Sequence, residues 1–81
     1  MENTIEFKSN DFYLSACILA SGIPLKRIEY GDPRSASFIF DDLENKVPQI
    51  LADHWNKKLL LPTRNLIEAI NELKTRLHSG V

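Results

Sequence analysis

Trp55, Lys57, Lys58 and Arg64 fall within one short stretch of the chain. Ammonium and guanidinium groups neutralise phosphates, and an indole offers a face on which a base stacks, so this set reads as a candidate nucleic-acid contact. A purely structural account competes with it. Lysines at the end of a helix complement its dipole, and an indole one turn after Leu51 reads as a core or core-edge residue. Asp41, Asp42 and Glu44 form a second cluster. Close carboxylates can do acid–base work or bind a cation, but before a helix they read more simply as a solvated acidic turn. His54 offers a general base for which the sequence identifies no partner. Cys17 lies inside an apolar stretch, where a free thiol behaves as a small hydrophobe that should be buried and unreactive. Tyr13, near the start of the same stretch, reads as a structural anchor through its hydroxyl.

Other chemistry finds no support. There is no phosphate loop and no nucleophile elbow, and Gly22, Gly31 and Gly80 are all taken up by caps and turns. His54 and His78 share no ligand-like spacing, so no metal is expected, and no cofactor or catalytic residue either. A single cysteine excludes an internal disulfide. MENTIEFK is not a signal peptide, and no apolar run approaches the roughly 18 residues of a membrane span. The expectation is a soluble, cytoplasmic protein with no membrane partner.

Length and charge narrow the class further. Eighty-one residues make one domain, 1–81, that buries only roughly 60% of its unfolded surface, leaving little room for a deep catalytic pocket. Hydrophobic residues at 43% and charged ones at 26% are ordinary globular values. The net charge of −1 excludes an overall basic nucleic-acid binder. It is unevenly spread: residues 1–56 hold five basic and nine acidic side chains, and 57–81 hold five basic and two acidic, so the last third is net positive.

These residues must be positioned by local elements. Thr4–Lys8 alternates, with Ile5 and Phe7 inward, and predicts a strand with one wet face. Ser9 and Asn10 are good N-caps for a helix from about Asp11 to Ser21. Gly22 then serves as a left-handed cap, Ile23 packs back and Pro24 prevents continuation. Leu25–Tyr30 and Ser35–Phe40 read as a hairpin around the turn Gly31-Asp32-Pro33-Arg34. Pro48 belongs in the first turn of the next helix, which makes Asn45 its N-cap. Val47, Ile50, Leu51, His54 and Trp55 line one face of that helix. After a short link, partly extended at Leu59–Leu61, Pro62 and Thr63 open the last helix. Leu66, Ile70, Leu73 and Leu77 form its stripe, and Gly80 ends it.

The order β-α-β-β-α-α predicts a small α+β domain with a three-stranded antiparallel sheet, order 1-3-2, covered by helices. The apolar third strand takes the middle. The first helix then has core on most sides, which explains why it is so apolar. Leu14, Ile18, Phe38, Phe40, Leu51, Ile70 and Leu73 should share that core.

The pattern FKSNDFYLSACILASG, followed by SFIF and NKKLLLPTRNLIEAINELK, resembles a family of small prokaryotic and phage proteins known only as a domain of unknown function. The matching residues are Asp11, Tyr13, Leu14, Gly22, Phe38, Phe40, Asn56, Pro62, Leu73 and Lys74. The chain departs at Lys57, where a glycine is common. The resemblance implies a stand-alone domain and transfers no activity, cofactor or catalytic residue.

Two kinds of binding remain. One is association with another protein or with a second copy as a homodimer, through an exposed sheet edge, best at Thr4–Phe7. The other is nucleic-acid contact through Lys57, Lys58, Arg64 and Trp55. The expected function is that of a non-enzymatic adaptor.

Overall fold

A computed structural model describes residues 5–31 and 36–79. The expected start of a strand at Thr4, the turn residues Asp32, Pro33 and Arg34, the strand start at Ser35 and the stop at Gly80 lie outside the described residues.

The chain runs β1 (Glu6–Ser9), α1 (Phe12–Ala20), β2 (Leu25–Tyr30), β3 (Ala36–Asp41), α2 (Val47–Trp55) and α3 (Thr63–Ser79). The sheet is antiparallel with the order β1-β3-β2, so this is the α+β arrangement expected from the connections. Phe7, Leu25 and Ile28 pair with or neighbour Phe38 and Phe40 on the face that the helices cover. Leu14, Ile18, Phe38, Phe40 and Leu73 are buried there together, with Ile23, Val47, Ile50 and Ala69. Leu51 and Ile70, expected to be fully inside, pack against this cluster from its margin. Ile5 stays largely exposed rather than facing inward, because β1 begins only after it.

Polar residues within α1 close its start. Asp11, rather than Ser9 or Asn10, is the N-cap, its carboxylate accepting from the Leu14 N–H at 3.1 Å. Ser9 accepts from the Asp11 N–H at 3.2 Å, and the Ser15 hydroxyl lies 2.7 Å from the Asp11 carbonyl and 2.9 Å from Ser9 Oγ. Ser15 and Ser9 are buried yet satisfied, which is how a helix with almost no wet face carries a serine in its core side. At the other end Gly22 takes φ +99°, its N–H donates to the Leu19 carbonyl and the Ile23 N–H to Ile18, while Ile23 is buried. This is the predicted left-handed cap.

The second sheet face is closed by charge. Ile39 is 3% exposed although it points away from the helices, between Lys8 and Arg27 in the register. Lys8 reaches Glu29 at 3.9 Å, Lys26 and Arg27 reach Glu6 at 2.7 and 3.4 Å, and Arg27 reaches Glu29 at 3.0 Å. The Lys8–Glu29 and Glu6 pairs join β1 to β2 across β3, and their aliphatic stems roof Ile39. A bulge between Leu25 and Arg27 puts both Lys26 and Arg27 within reach of Glu6. The charges of β2 therefore brace the face.

Hydrogen bonds from Lys26 first, then Arg27, hold the Glu6 carboxyl below its ordinary 4.5. A depressed carboxyl stabilises the fold fully above its unfolded value and loses that contribution as pH falls through its folded value. Glu6→Gln should therefore flatten the acid limb of a melting-temperature curve recorded from about pH 5 to about pH 3. A limb parallel to the parent's would show that these exposed pairs add nothing.

Candidate interaction surface at the corner between α2 and α3

The corner begins with the way α2 is anchored. Asp42 is the buried carboxylate that accepts from the Lys46 and Val47 N–H groups at 2.8 and 3.0 Å. Asn45, expected as the N-cap, instead takes φ 55° and lets the chain turn into the helix; asparagine tolerates that conformation well. The acidic cluster is thus divided by role. Asp42 caps, Glu44 pairs with Lys46 at 2.7 Å, and Asp41 is half-buried with its Oδ1 unpartnered. Only Glu44 fits the solvated acidic turn expected of all three.

At its far end α2 closes with the same bond pattern as α1. The Lys57 N–H donates to the His54 carbonyl at 3.1 Å and the Lys58 N–H to Asp53 at 2.7 Å. The residue at the turn must adopt a left-handed conformation, which α1 assigns to Gly22 and α2 assigns to Lys57, at φ 62°. A side chain there costs on the order of 1 kcal/mol that glycine avoids. Lys57→Gly should accordingly raise stability by up to about 1 kcal/mol, read as a higher urea midpoint with an unchanged slope. A lower midpoint would mean that the lysine side chain returns more than its backbone costs.

Beyond this turn the link 56–62 exposes alternate leucines. Leu59 and Leu61 are half-buried, whereas Leu60 is 90% exposed. Three leucines in an extended segment cannot all face one way, since successive side chains alternate. The run LLL followed by proline was the available signal for an exposed Leu60. Trp55 is 67% exposed, which corrects its expected place at the core edge. Its ring meets the His54 ring edge-on at 4.8 Å, so it covers the imidazole and leaves its outer face in solvent. Ile67, one turn into α3, is a further exposed apolar residue that the stripe of Leu66, Ile70, Leu73 and Leu77 passes over.

Lys57, Lys58 and Arg64 are all exposed at this corner. Arg64 lies in the first turn of α3 and is 3.4 Å from Glu68. Among the described residues neither Lys57 nor Lys58 has a carboxylate at ion-pair distance. Underneath, Cys17, His54, Lys57, Leu59, Leu61 and Leu66 line an open cleft of about 290 Å³. Cys17 is therefore half-buried in a cleft wall rather than sealed in the core. Burial, and secondarily the Asp11 carboxylate, push its thiol above the ordinary 9.0, so it is not an activated nucleophile. Tyr13 is exposed and packs edge-on against Phe12; the tyrosine hydroxyl that ties elements together is that of Tyr30, donating to the Leu77 carbonyl at 3.3 Å.

No described helix is long and apolar enough to cross a membrane, and no group of three metal-ligating side chains occurs among the described residues. The chain matches no protein-family model, no curated protein and no solved structure.

Proposed function

We propose that the protein is a non-enzymatic adaptor that binds another protein through the corner between α2 and α3. One observation carries this reading: Trp55 and Leu60 stand in solvent at the two ends of a six-residue stretch that also exposes Lys57 and Lys58, two cations with no carboxylate partner among the described residues. Tryptophan is enriched among contact hot spots, and basic neighbours select a partner carrying carboxylates. The sheet face is a poorer candidate because its charges already satisfy one another across Ile39. Two copies meeting symmetrically at the corner would bring lysines together, so the partner is a different chain. Self-association through the outer edge of β1 is the weaker arrangement, since that strand offers only four residues.

A photo-crosslinking residue at position 60, with position 75 on the exposed side of α3 as the control, tests the surface in host cells. A discrete adduct from position 60, lost when Lys57 and Lys58 are both changed to glutamate, is expected. No adduct, or the same adducts from both positions, would refute the reading.

Nucleic-acid binding is the second reading, favoured by the exposure of Lys57, Lys58 and Arg64 close in sequence to Trp55. Three phosphate contacts would give a log–log salt slope of about −2 to −3, at ~0.7–0.9 per contact. A base stacked on Trp55 would change its fluorescence. Equal binding of a single-stranded oligonucleotide by the parent and by the Lys57, Lys58 and Arg64 triple glutamate variant, or binding by neither, would dispose of it.

A further inference from the structure

We propose that the cleft beneath the 56–62 link binds a small amphiphilic carboxylate, an acid head on an apolar tail of about six to ten carbons. This goes beyond the protein-binding reading and stands without it. Small-molecule sites are concave and mostly apolar, with a few polar groups that fix orientation. At about 290 Å³ the cleft lies just under the roughly 300–1,000 Å³ usual for such sites, and Leu59, Leu61, Leu66 and Cys17 supply the apolar wall. Lys57 and His54 supply the only nitrogen-bearing side chains of the lining. One ammonium and one imidazole match a single carboxylate, which accepts hydrogen bonds from both.

Two further open hollows among the described residues oppose this ligand. One includes Glu68 and Glu72 in its lining, and the other Asp41 and Glu44. Carboxylates in those walls repel an anion, whereas the cleft under the link has none in its lining. The cation there is also held at a backbone position, φ 62°, that glycine would occupy more easily. That exposed lysine is part of the lining of a hollow walled largely by leucines.

Cys17, the only cysteine of the chain, reports occupancy because its side lines the cleft. Alkylation of the full-length protein by iodoacetamide, followed by mass spectrometry, should slow as octanoate is added. Hexanoate, two methylenes shorter, should need roughly fifteenfold more for the same protection, because each buried methylene is worth roughly fourfold in affinity. Octylamine, with the same tail and the opposite charge, should protect little. Lys57→Gly suits the local backbone and should remain folded while needing roughly tenfold more octanoate, the loss of one charge-assisted contact. Amide shifts on adding octanoate should centre on His54, Lys57, Leu59 and Leu61. No protection by octanoate, equal protection by octylamine, an undiminished response in Lys57→Gly, or shifts centred elsewhere would each overturn the proposal. None of these results depends on whether position 60 crosslinks to a protein.

Discussion

Leu73→Ala should destabilise the protein by about 2–5 kcal/mol. Leu73 is 0% exposed and sits where α3 meets the helix-covered face of the sheet, in one cluster with Ile18, Phe40 and Val47. Removing its branched end takes away transfer free energy and leaves a void that the flanking residues cannot fill without moving both α1 and the sheet. A domain of this size has only a few kcal/mol in reserve, so much of the variant should be unfolded at ambient temperature. Leu73→Met, which nearly conserves volume, should cost less than about 1.5 kcal/mol. Urea unfolding followed through Trp55 fluorescence and far-ultraviolet circular dichroism checks both. An alanine midpoint equal to the parent's would mean that α3 is not docked through this residue.

Asp42→Ala should cost about 2–4 kcal/mol, combining the loss of a helix cap with two backbone donors stranded near the core. The residue is 1% exposed and every polar group it owns is engaged. Its carboxylate takes the Lys46 and Val47 N–H groups, its own N–H donates to the Ile5 carbonyl at 2.8 Å, and its carbonyl accepts from Asn45 at 3.1 Å. One residue thus ties the approach to β1, the end of β3 and the start of α2 together, its backbone holding the first and its carboxylate the last. Asp42→Asn keeps one acceptor oxygen and should lose roughly half as much. Hydrogen exchange at the Lys46 and Val47 amides should accelerate more than at Leu73, because the first turn of α2 opens before the core does. Uniform acceleration would show that Asp42 contributes to global stability alone. The functional consequence follows from position: α2 carries Trp55 and ends in Lys57, so loosening its start should weaken the corner without touching it.

Local rules explain most of the architecture. Leu25–Tyr30 forms β2 at the predicted bounds, and the Gly22-Ile23-Pro24 sequence ends α1 as expected, because such features depend on neighbours a few positions away. The 1-3-2 strand order also follows from the chain, since a helix between the first two strands and only a few residues between the last two leave the apolar strand the centre. Leu73 lies on a stripe visible by spacing alone.

What the chain could not disclose depends on residues distant in sequence. Asp42 rather than Asn45 caps α2 because the end of β3 holds that carboxylate at the helix start, and composition ranks both residues as equally good caps. Ile39 is buried on the wet face because Lys8 and Glu29, from two different strands, close over it. The sequence places Cys17 in the interior and Trp55 in the core or at its edge, but burial is a property of what packs opposite. Opposite Cys17 the link leaves a cleft, and the outer face of Trp55 has nothing over it. Sequence alone determined the elements and their order, because backbone preference and hydrophobic period act within a few residues. The tertiary structure decided which carboxylate is spent on a helix, which leucine is left in water and which lysine holds a glycine's place, because each depends on contacts between segments far apart in the chain.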